Sequence, residues 1–563
     1  MQDDSKKKNI KVAYFSMEIM LENDIATYAG GLGMLAGDIL RSMADMEIPA
    51  IGITVAFNNG YTNQIINNDG TQQFLPSEWV KNDQLSMQSE TVKIKVDGRD
   101  LTISCYRYDI VSPRGFIVPV FLLTTDFFEN TDDQKYYTKY LYDHDKKIRL
   151  IQEVILGIGG IKMLRELGYS SIENFHMNDG HCAFLTLEVL REQNYDMQKT
   201  KSQCCFTTHT PVPAGRDQFD YDVAYETLGD YIPLNIRELA GNDVLDMPQL
   251  AWSLSKYTNG VSQKHGQVSS DMFHAKIDYI TNGVHPATWL SPVTQEIFDR
   301  YLPEWRAHIT SLENIATIPD SALDTMLSIN KKNLVDYINT YLDKKEDAGS
   351  RFETDILTIG FGRRCVSYKR PDLIFHDLKR LLRIGIGKIQ IVYAGKTHPD
   401  DGEAAGILKK IIEYRNKFSQ VMSIVYLENY SPSMSKILTA GCDVWLNNPL
   451  IPMEASGTSG MKAAMNGTLN FSIMDGWIPE GVEMEPESTF MIGGMPDQQS
   501  NLYPQRNDDM DADHLYKTLE SQVIPIYYGS KDAWMKKVRA SIKLGAYFNT
   551  ERVVKQYLEK AWK

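Results

Sequence analysis

Short apolar runs alternate with stretches of helical periodicity along both halves of this 563-residue chain. In the first half, residues 10–15, 50–56, 204–208 and 277–281 are rich in β-branched and aromatic side chains and predict strands. Amphipathic patterns over 32–46, 136–167 and 182–193 predict helices between them. The second half is more regular, with strands predicted at 356–360, 389–394, 423–427, 444–447 and 469–473. Helical patterns near 371–383, 402–415, 433–440 and 461–466 separate these. Such alternation predicts an α/β chain of parallel, doubly wound sheets with crossover helices. A charged helical region over 310–348 reads either as the join between the halves or as a decoration of one of them. The stretch 495–513, rich in Asp, Asn, Gln and Pro, predicts a loop, and 515–563 a helical tail able to cross back onto the first half.

Composition sharpens that picture. The chain is longer than one core usually supports, so two domains are expected. A net charge of -14 argues against a broad nucleic-acid or anionic-membrane surface, while leaving room for a local basic pocket. No apolar run reaches membrane-span length and the first residues lack an export signature, which predicts a cytoplasmic protein. Cys105, Cys182, Cys204, Cys205, Cys365 and Cys442 show no C-x-x-C spacing, so they read as reduced core thiols rather than a disulfide or zinc framework.

The most informative run is Glu454-Ala455-Ser456-Gly457-Thr458-Ser459-Gly460-Met461-Lys462. It follows the strand pattern at 444–447, bends at two glycines and enters a helix predicted from 461, which puts Lys462 in the first turn. A helix start offers unpaired N–H groups and positive potential, so it favours an anion and disfavours a bare ammonium. A bound phosphate, or neutralisation of the lysine as an imine, resolves the conflict. Arg363-Arg364-Cys365-Val366-Ser367-Tyr368-Lys369-Arg370 places four cations in eight residues at the carboxyl end of the 356–360 strand, where open α/β sheets bind ligands. Those cations repel one another unless an anion joins them, and arginine suits phosphate. His209 and His181, with Asp179, follow strand ends in the first half and are expected to face one cleft; Asn259-Gly260 and Asn282-Gly283 are ordinary turn signals. Gly30-Gly31-Leu32-Gly33-Met34-Leu35-Ala36 satisfies G-x-G-x-x-A but stands too far from its strand for a dinucleotide fingerprint. A glycine turn whose N–H groups approach another ligand is the better reading. No metal-spaced cluster, Walker loop or nucleophile elbow is present.

Taken together, these segments resemble the α-glucan phosphorylases (glycogen, starch or maltodextrin), pyridoxal-phosphate enzymes of the GT-B architecture, in which two Rossmann-like doubly wound domains face an active-site cleft. The resemblance runs through Tyr14-Phe15-Ser16-Met17-Glu18, Gly30 to Gly33, Asn178-Asp179-Gly180-His181, Thr207 to Thr210, Ile280 to Val284, Arg363 to Arg370 and Glu454 to Lys462. It continues in Met474-Asp475-Gly476 and Phe548-Asn549-Thr550-Glu551-Arg552. It implies residues 1–310 as a glucan- and glucosyl-binding domain, 311–545 as a cofactor- and phosphate-binding domain, and 546–563 as a helix crossing back to the first. It further implies Lys462 as the lysine that holds pyridoxal 5'-phosphate as a Schiff base, with Thr458, Ser459, Gly460, Arg363 and Tyr430 around the cofactor. Arg364 and Lys369 would hold orthophosphate, while Gly30, Gly31, His209, Asn259, Glu454 and Ser456 line the glucosyl unit and Tyr368 borders the reacting centre. His181 and Asp179 are expected on the substrate side.

The implied reaction is reversible, retaining phosphorolysis of terminal α-1,4 bonds in an α-glucan or maltodextrin by orthophosphate, giving glucose 1-phosphate. Nucleotide-sugar GT-B glycosyltransferases are the competing reading; many carry a second glutamate where this chain has Lys462. The family analogy also suggests a homodimer. Only about a dozen residues precede Tyr14, so the amino-terminal allosteric region of animal enzymes is expected to be absent. Arg363 in place of a lysine, Cys365-Val366-Ser367, Ser431 after Tyr430 and the insert 442–453 mark a short, prokaryotic-type form.

Overall fold

The computed structural model describes residues 9–79, 83–211, 216–345, 351–495 and 507–563. The chain forms two compact units: residues 1–62, 76–281 and 550–563, and residues 63–75 with 282–549.

The first unit is built on β1 (Ile10–Ser16), β2 (Ala50–Val55), β3 (Arg99–Val111), β4 (Ile117–Thr124), β5 (Ile172–Asn178), β6 (Cys204–Thr207), β7 (Tyr257–Gly260) and β8 (Asp278–Tyr279). They run β8-β7-β6-β5-β1-β2-β4-β3, and Ser86–Met87 extends the β3 edge. All neighbours from β8 to β4 are parallel, whereas β3 pairs antiparallel with β4 and with the short strand Val92–Val96. Successive side chains go to opposite faces, as the twofold strand period demands. Ala13 and Phe15 enter one core with Ile51 and Ile53, while Val12 and Tyr14 enter the other with Ala50 and Leu122. On this second face lie α1 (Gly31–Asp45) and the last helix, Thr550–Lys560, whose Val553, Val554 and Tyr557 are buried with Trp562 just beyond.

The second unit carries a wholly parallel six-stranded sheet of β9 (Leu357–Gly362), β10 (Ile389–Ala394), β11 (Ile424–Leu427), β12 (Val444–Asn447), β13 (Leu469–Ile473) and β14 (Thr489–Ile492). The first five strands are buried at every position, the continuous apolar pattern expected when helices cover both faces. Their order, β11-β10-β9-β12-β13-β14, is the Rossmann winding, with its reversal between β9 and β12. The first sheet reverses in the same sense between β1 and β5. Each unit is therefore Rossmann-like and doubly wound, the composition of a GT-B protein.

Several expected elements differ. The strand expected at 277–281 shrinks to Asp278–Tyr279, an edge strand with one neighbour. The pattern over 136–167 is not one helix: Asp132–Tyr136 and Lys146–Val154 are separated by turns, and a π-helical turn, Ile155–Gly159, precedes Gly160–Glu166. The charged helix, Asp320–Lys344, belongs to the second unit, where Leu334, Val335 and Ile338 pack on Val392, Val425 and Trp445; residues 346–348 of that region lie outside the described residues. Of the expected loop at 495–513, residues 496–506 lie outside the described residues and Asp508–Thr518 is helical, capped by Asn507. The hairpin Asn63–Ile66 with Gln72–Leu75 was not foreseen. It seats on the second unit, where Gln64 N donates to Asn429 Oδ1 (2.6 Å) and Ile66 N to Glu428 Oε1 (2.6 Å). No helix among the described residues is long and apolar enough to cross a membrane.

Candidate functional site

Open α/β sheets bind ligands at the carboxyl ends of their strands where the strand order reverses. In the second unit the chain leaving β9 enters Arg363-Arg364, and the chain leaving β12 reaches Glu454. Arg363 Nη2 donates to Glu454 Oε2 (2.6 Å), and Lys369 Nζ lies 3.1 and 3.3 Å from its two oxygens. All three side chains are at most 10% exposed. Burial alone raises the Glu454 carboxyl, but Arg363 and then Lys369 outweigh it and hold the group below its ordinary range. Burial, followed by the Arg363 charge, pushes the Lys369 amine down to about 7, with Glu454 opposing. Arg363 Nε and Nη1 are buried without a hydrogen-bond partner, as is Ser456 Oγ. Arg364 is exposed, and Tyr368 is partly buried, its phenol pushed up chiefly by desolvation. Tyr430 donates to Ser435 Oγ (2.9 Å), and burial pushes its hydroxyl up to about 12.

Lys462 is carried by α2 (Thr458–Met465). Its start corrects the expected position: Gly457, at φ +89°, turns the chain into the helix three residues early. Thr458, Ser459 and Gly460 thus form the first turn and Lys462 belongs to the second. No side chain caps the start. Gly460 is obligatory, since a Cβ there would stand 2.4 Å from Asn470 Oδ1. Lys462 is 2% exposed, and its Nζ sits 3.3 Å from the centroid of the Trp289 ring. Asn466 fixes this pair, donating to the carbonyls of both Trp289 and Lys462 (3.0 Å each).

In the first unit the glycine turn is organised by Glu18, a residue of the first motif with no role assigned from sequence. Ala29 N and Gly30 N donate to Glu18 Oε2 (2.5 and 2.9 Å), and Tyr142 Oη donates to Oε1 (2.9 Å). Gly31, at the start of α1, has open space where a side chain would be. Asp179 Oδ1 accepts from Gly180 N (2.9 Å) and His209 N (3.4 Å), which brings the ends of β5 and β6 together. His209 Nε2 is 2.7 Å from Asn178 Oδ1, and burial, then its histidine neighbours, pushes the ring down to about 3. A neutral ring that donates from Nε2 presents Nδ1 as an acceptor. His181 Nε2 pairs with Asp217 Oδ2 at 3.0 Å; burial opposes protonation there, yet Asp217 raises the imidazole above its usual value. Asp217 also pairs with Arg149.

Asn259 lies deeper, fully buried at the end of a relay. Trp562 Nε1 donates to His176 Nδ1 (3.1 Å), His176 Nε2 meets Thr207 Oγ1 (3.0 Å), and Thr207 donates to Asn259 Oδ1 (2.9 Å). Sequence reasoning missed Glu18, Trp289, Asp217 and Arg149, all of which act through partners distant in the chain. Asp475, quoted only as part of a motif, accepts from Glu454 N at 2.9 Å.

A profile for carbohydrate phosphorylases matches residues 10–105 and 218–526. The maltodextrin phosphorylase of Thermococcus litoralis is 33% identical over an alignment that covers 98% of this chain and 70% of the relative. The glycogen phosphorylase of Aquifex aeolicus is 32% identical, covering 99% of this chain and 86% of the relative. That of Mycobacterium tuberculosis is also 32% identical, over 97% of this chain and 70% of the relative. A profile match over most of the chain and similarity along nearly all of this chain's length agree with the cation-rich switch point of the second sheet: the chain belongs to the carbohydrate phosphorylase family.

Proposed function

We propose that this protein is an α-glucan phosphorylase that transfers the terminal α-1,4-linked glucosyl unit to orthophosphate, reversibly and with retention, using pyridoxal 5'-phosphate held on Lys462. The observation that carries the reading is the buried Lys462 amine on the uncapped helix Thr458–Met465, in the same unit as the partly unpartnered Arg363. The residues present fit the cofactor. A buried primary amine suits an aldehyde, and Arg363 Nε and Nη1 with the helix start suit its phosphate. Bound there, the cofactor supplies a phosphate whose second pKa of about 6 lets it exchange a proton with orthophosphate near neutrality.

The chain's own residues supply the rest. Thr458, Ser459 and Gly460 present first-turn N–H groups, Tyr430 flanks β9, and Arg363 balances negative charge. Arg364 and Lys369 hold orthophosphate, so that two like-charged groups can lie close together only against compensating cations. In the first unit His209 Nδ1 and the Gly30-Gly31 turn suit glucosyl hydroxyls, with Asp179 fixing the His209 loop and His181 held by Asp217; in the second, Glu454 and Ser456 Oγ suit the same kind of group. An oxocarbenium-like transition state needs negative charge near C1 and a proton for the departing oxygen. Orthophosphate supplies both, so retention requires no pair of enzyme carboxylates. Tyr368, whose ring lies 5.1 Å from Lys369 Nζ, borders this centre.

Incubation with maltodextrin and orthophosphate should release glucose 1-phosphate, and the purified protein should show a near-ultraviolet pyridoxal band. Lys462→Ala should lose both, down to the assay floor. Consumption of a nucleotide sugar by a pyridoxal-free preparation would instead identify the glycosyltransferase.

A further inference from the structure

Glu454 stands where an anion is called for. One carboxylate serves two buried cations, with Arg363 Nη2 at 2.6 Å and Lys369 Nζ at 3.1 Å from the same oxygen. Arg363 Nε and Nη1 remain without partners. The residue is tethered through its backbone, Glu454 N donating to Asp475 Oδ2, and its side chain folds back over the left-handed turn at Gly457, where a Cβ would lie 3.4 Å from Glu454 Cγ. The backbone of Glu454 is thus anchored independently of the two cations that hold its carboxylate.

We propose that Glu454 is a resident counter-anion which orthophosphate displaces from Lys369, and that its release couples phosphate binding to glucosyl binding. The inference rests on the phosphorylase reading above. A carboxylate and a phosphate dianion cannot share one buried ammonium without like-charge repulsion in a poorly screened site. Displaced, Glu454 is an acceptor-only group whose natural partners are hydroxyl donors, which the sugar supplies. Phosphate favours the displaced arrangement because it needs the cation; the glucosyl unit favours it because it needs the carboxylate. Two ligands that bias one two-state element in the same direction bind with positive coupling, equal in both directions by linkage. Burial, then the Arg363 charge, pushes the Lys369 amine down to about 7 despite Glu454, and a bound dianion would raise it again, which favours exchange of the carboxylate for phosphate.

The test uses the pyridoxal-loaded enzyme, inorganic phosphate and a thio-linked maltotetraose that cannot be cleaved, with binding read by calorimetry. In the wild-type protein, saturating thio-glucan should tighten phosphate binding by about tenfold, and saturating phosphate should tighten glucan binding by the same factor. Glu454→Gln should bind phosphate alone about tenfold more tightly than the wild type, and its coupling should fall below about twofold. Phosphate affinity unchanged or weakened in Glu454→Gln, or coupling fully retained, overturns the inference. So does equal phosphate affinity with and without glucan in the wild type, whatever the variant does. Failure of the wild type to release glucose 1-phosphate from maltodextrin would instead sink the phosphorylase reading, which these binding measurements do not address.

Discussion

The carboxyl ends of the two sheets share a winding and differ in chemistry. In the first unit, burial holds His209 and His176 uncharged, Glu18 accepts two backbone N–H groups of the glycine turn, and the charges of His181, Asp217 and Arg149 compensate one another. In the second, uncompensated cations dominate, with Arg363 and Lys369 sharing Glu454 and the turn into the helix Thr458–Met465 against its side chain. One arrangement suits sugar hydroxyls and the other suits phosphates. A common backbone plan thus leaves specificity to the few side chains that follow each strand.

The contrast can be broken hardest from the charged side. Arg363→Ala should lower kcat/KM for phosphate by about 10²–10³, the usual loss of a preorganised charge-stabilising donor, with Arg363→Lys recovering part of it in the same assay. Next in size is an alkaline effect. Because the Lys369 pKa is depressed to about 7, its positive charge is lost as pH rises through that value. Measured between pH 8 and 9, where phosphate is already a dianion, KM for phosphate should climb by up to about tenfold per pH unit.

Acid should act on the other unit. His176 and His209 are depressed to about 3 and His265 to about 4, each chiefly by burial. The unfolded chain therefore binds more protons than the folded one below about pH 6.5, so the stability these rings contribute is present above that value and is lost as pH falls. Each should remove about 1.4 kcal/mol per pH unit, and thermal unfolding from pH 6.5 to 5 should show it. His176→Asn should flatten the slope by one group's share. The smallest expected effect lies away from both sites. Lys332 and Asp336 form an exposed i,i+4 pair, 66% and 60% exposed, so Lys332→Ala should change stability by less than about 0.5 kcal/mol and leave both KM values unchanged. A larger change would mean that the surface charge of the second unit reaches its switch point.

Much of the second unit was legible because its strands are buried on both faces and read as unbroken apolar runs; 389–394, 444–447 and 469–473 match the observed strands residue for residue. The Thr489–Ile492 edge strand was missed, lying beside a polar stretch that dominated the local pattern. In the first unit, strands at 172–178 and 257–260 escaped notice because each mixes polar residues, Asn174, His176, Asn178 and Asn259, into an otherwise buried segment. Those polar groups are tolerated only because partners far along the chain satisfy them, as Trp562 does for His176 and Lys256 for Asn174. Trp289 was invisible for the same reason, its importance arising from a lysine 173 positions later that stacks on its face.

The sequence alone determined the alternating α/β plan, the presence of two sheets and the short spacing that carries the chain from Glu454 to Lys462, because periodicity and short-range spacing are local properties of a chain. Tertiary structure decided what no local pattern contains: the histidines that stay neutral, the hairpin 63–75 that joins the second unit, and the carboxylate shared by Arg363 and Lys369. Each of these depends on burial or on a partner tens to hundreds of residues away, and the energies of buried charges and hydrogen bonds are set by that environment rather than by neighbours in sequence.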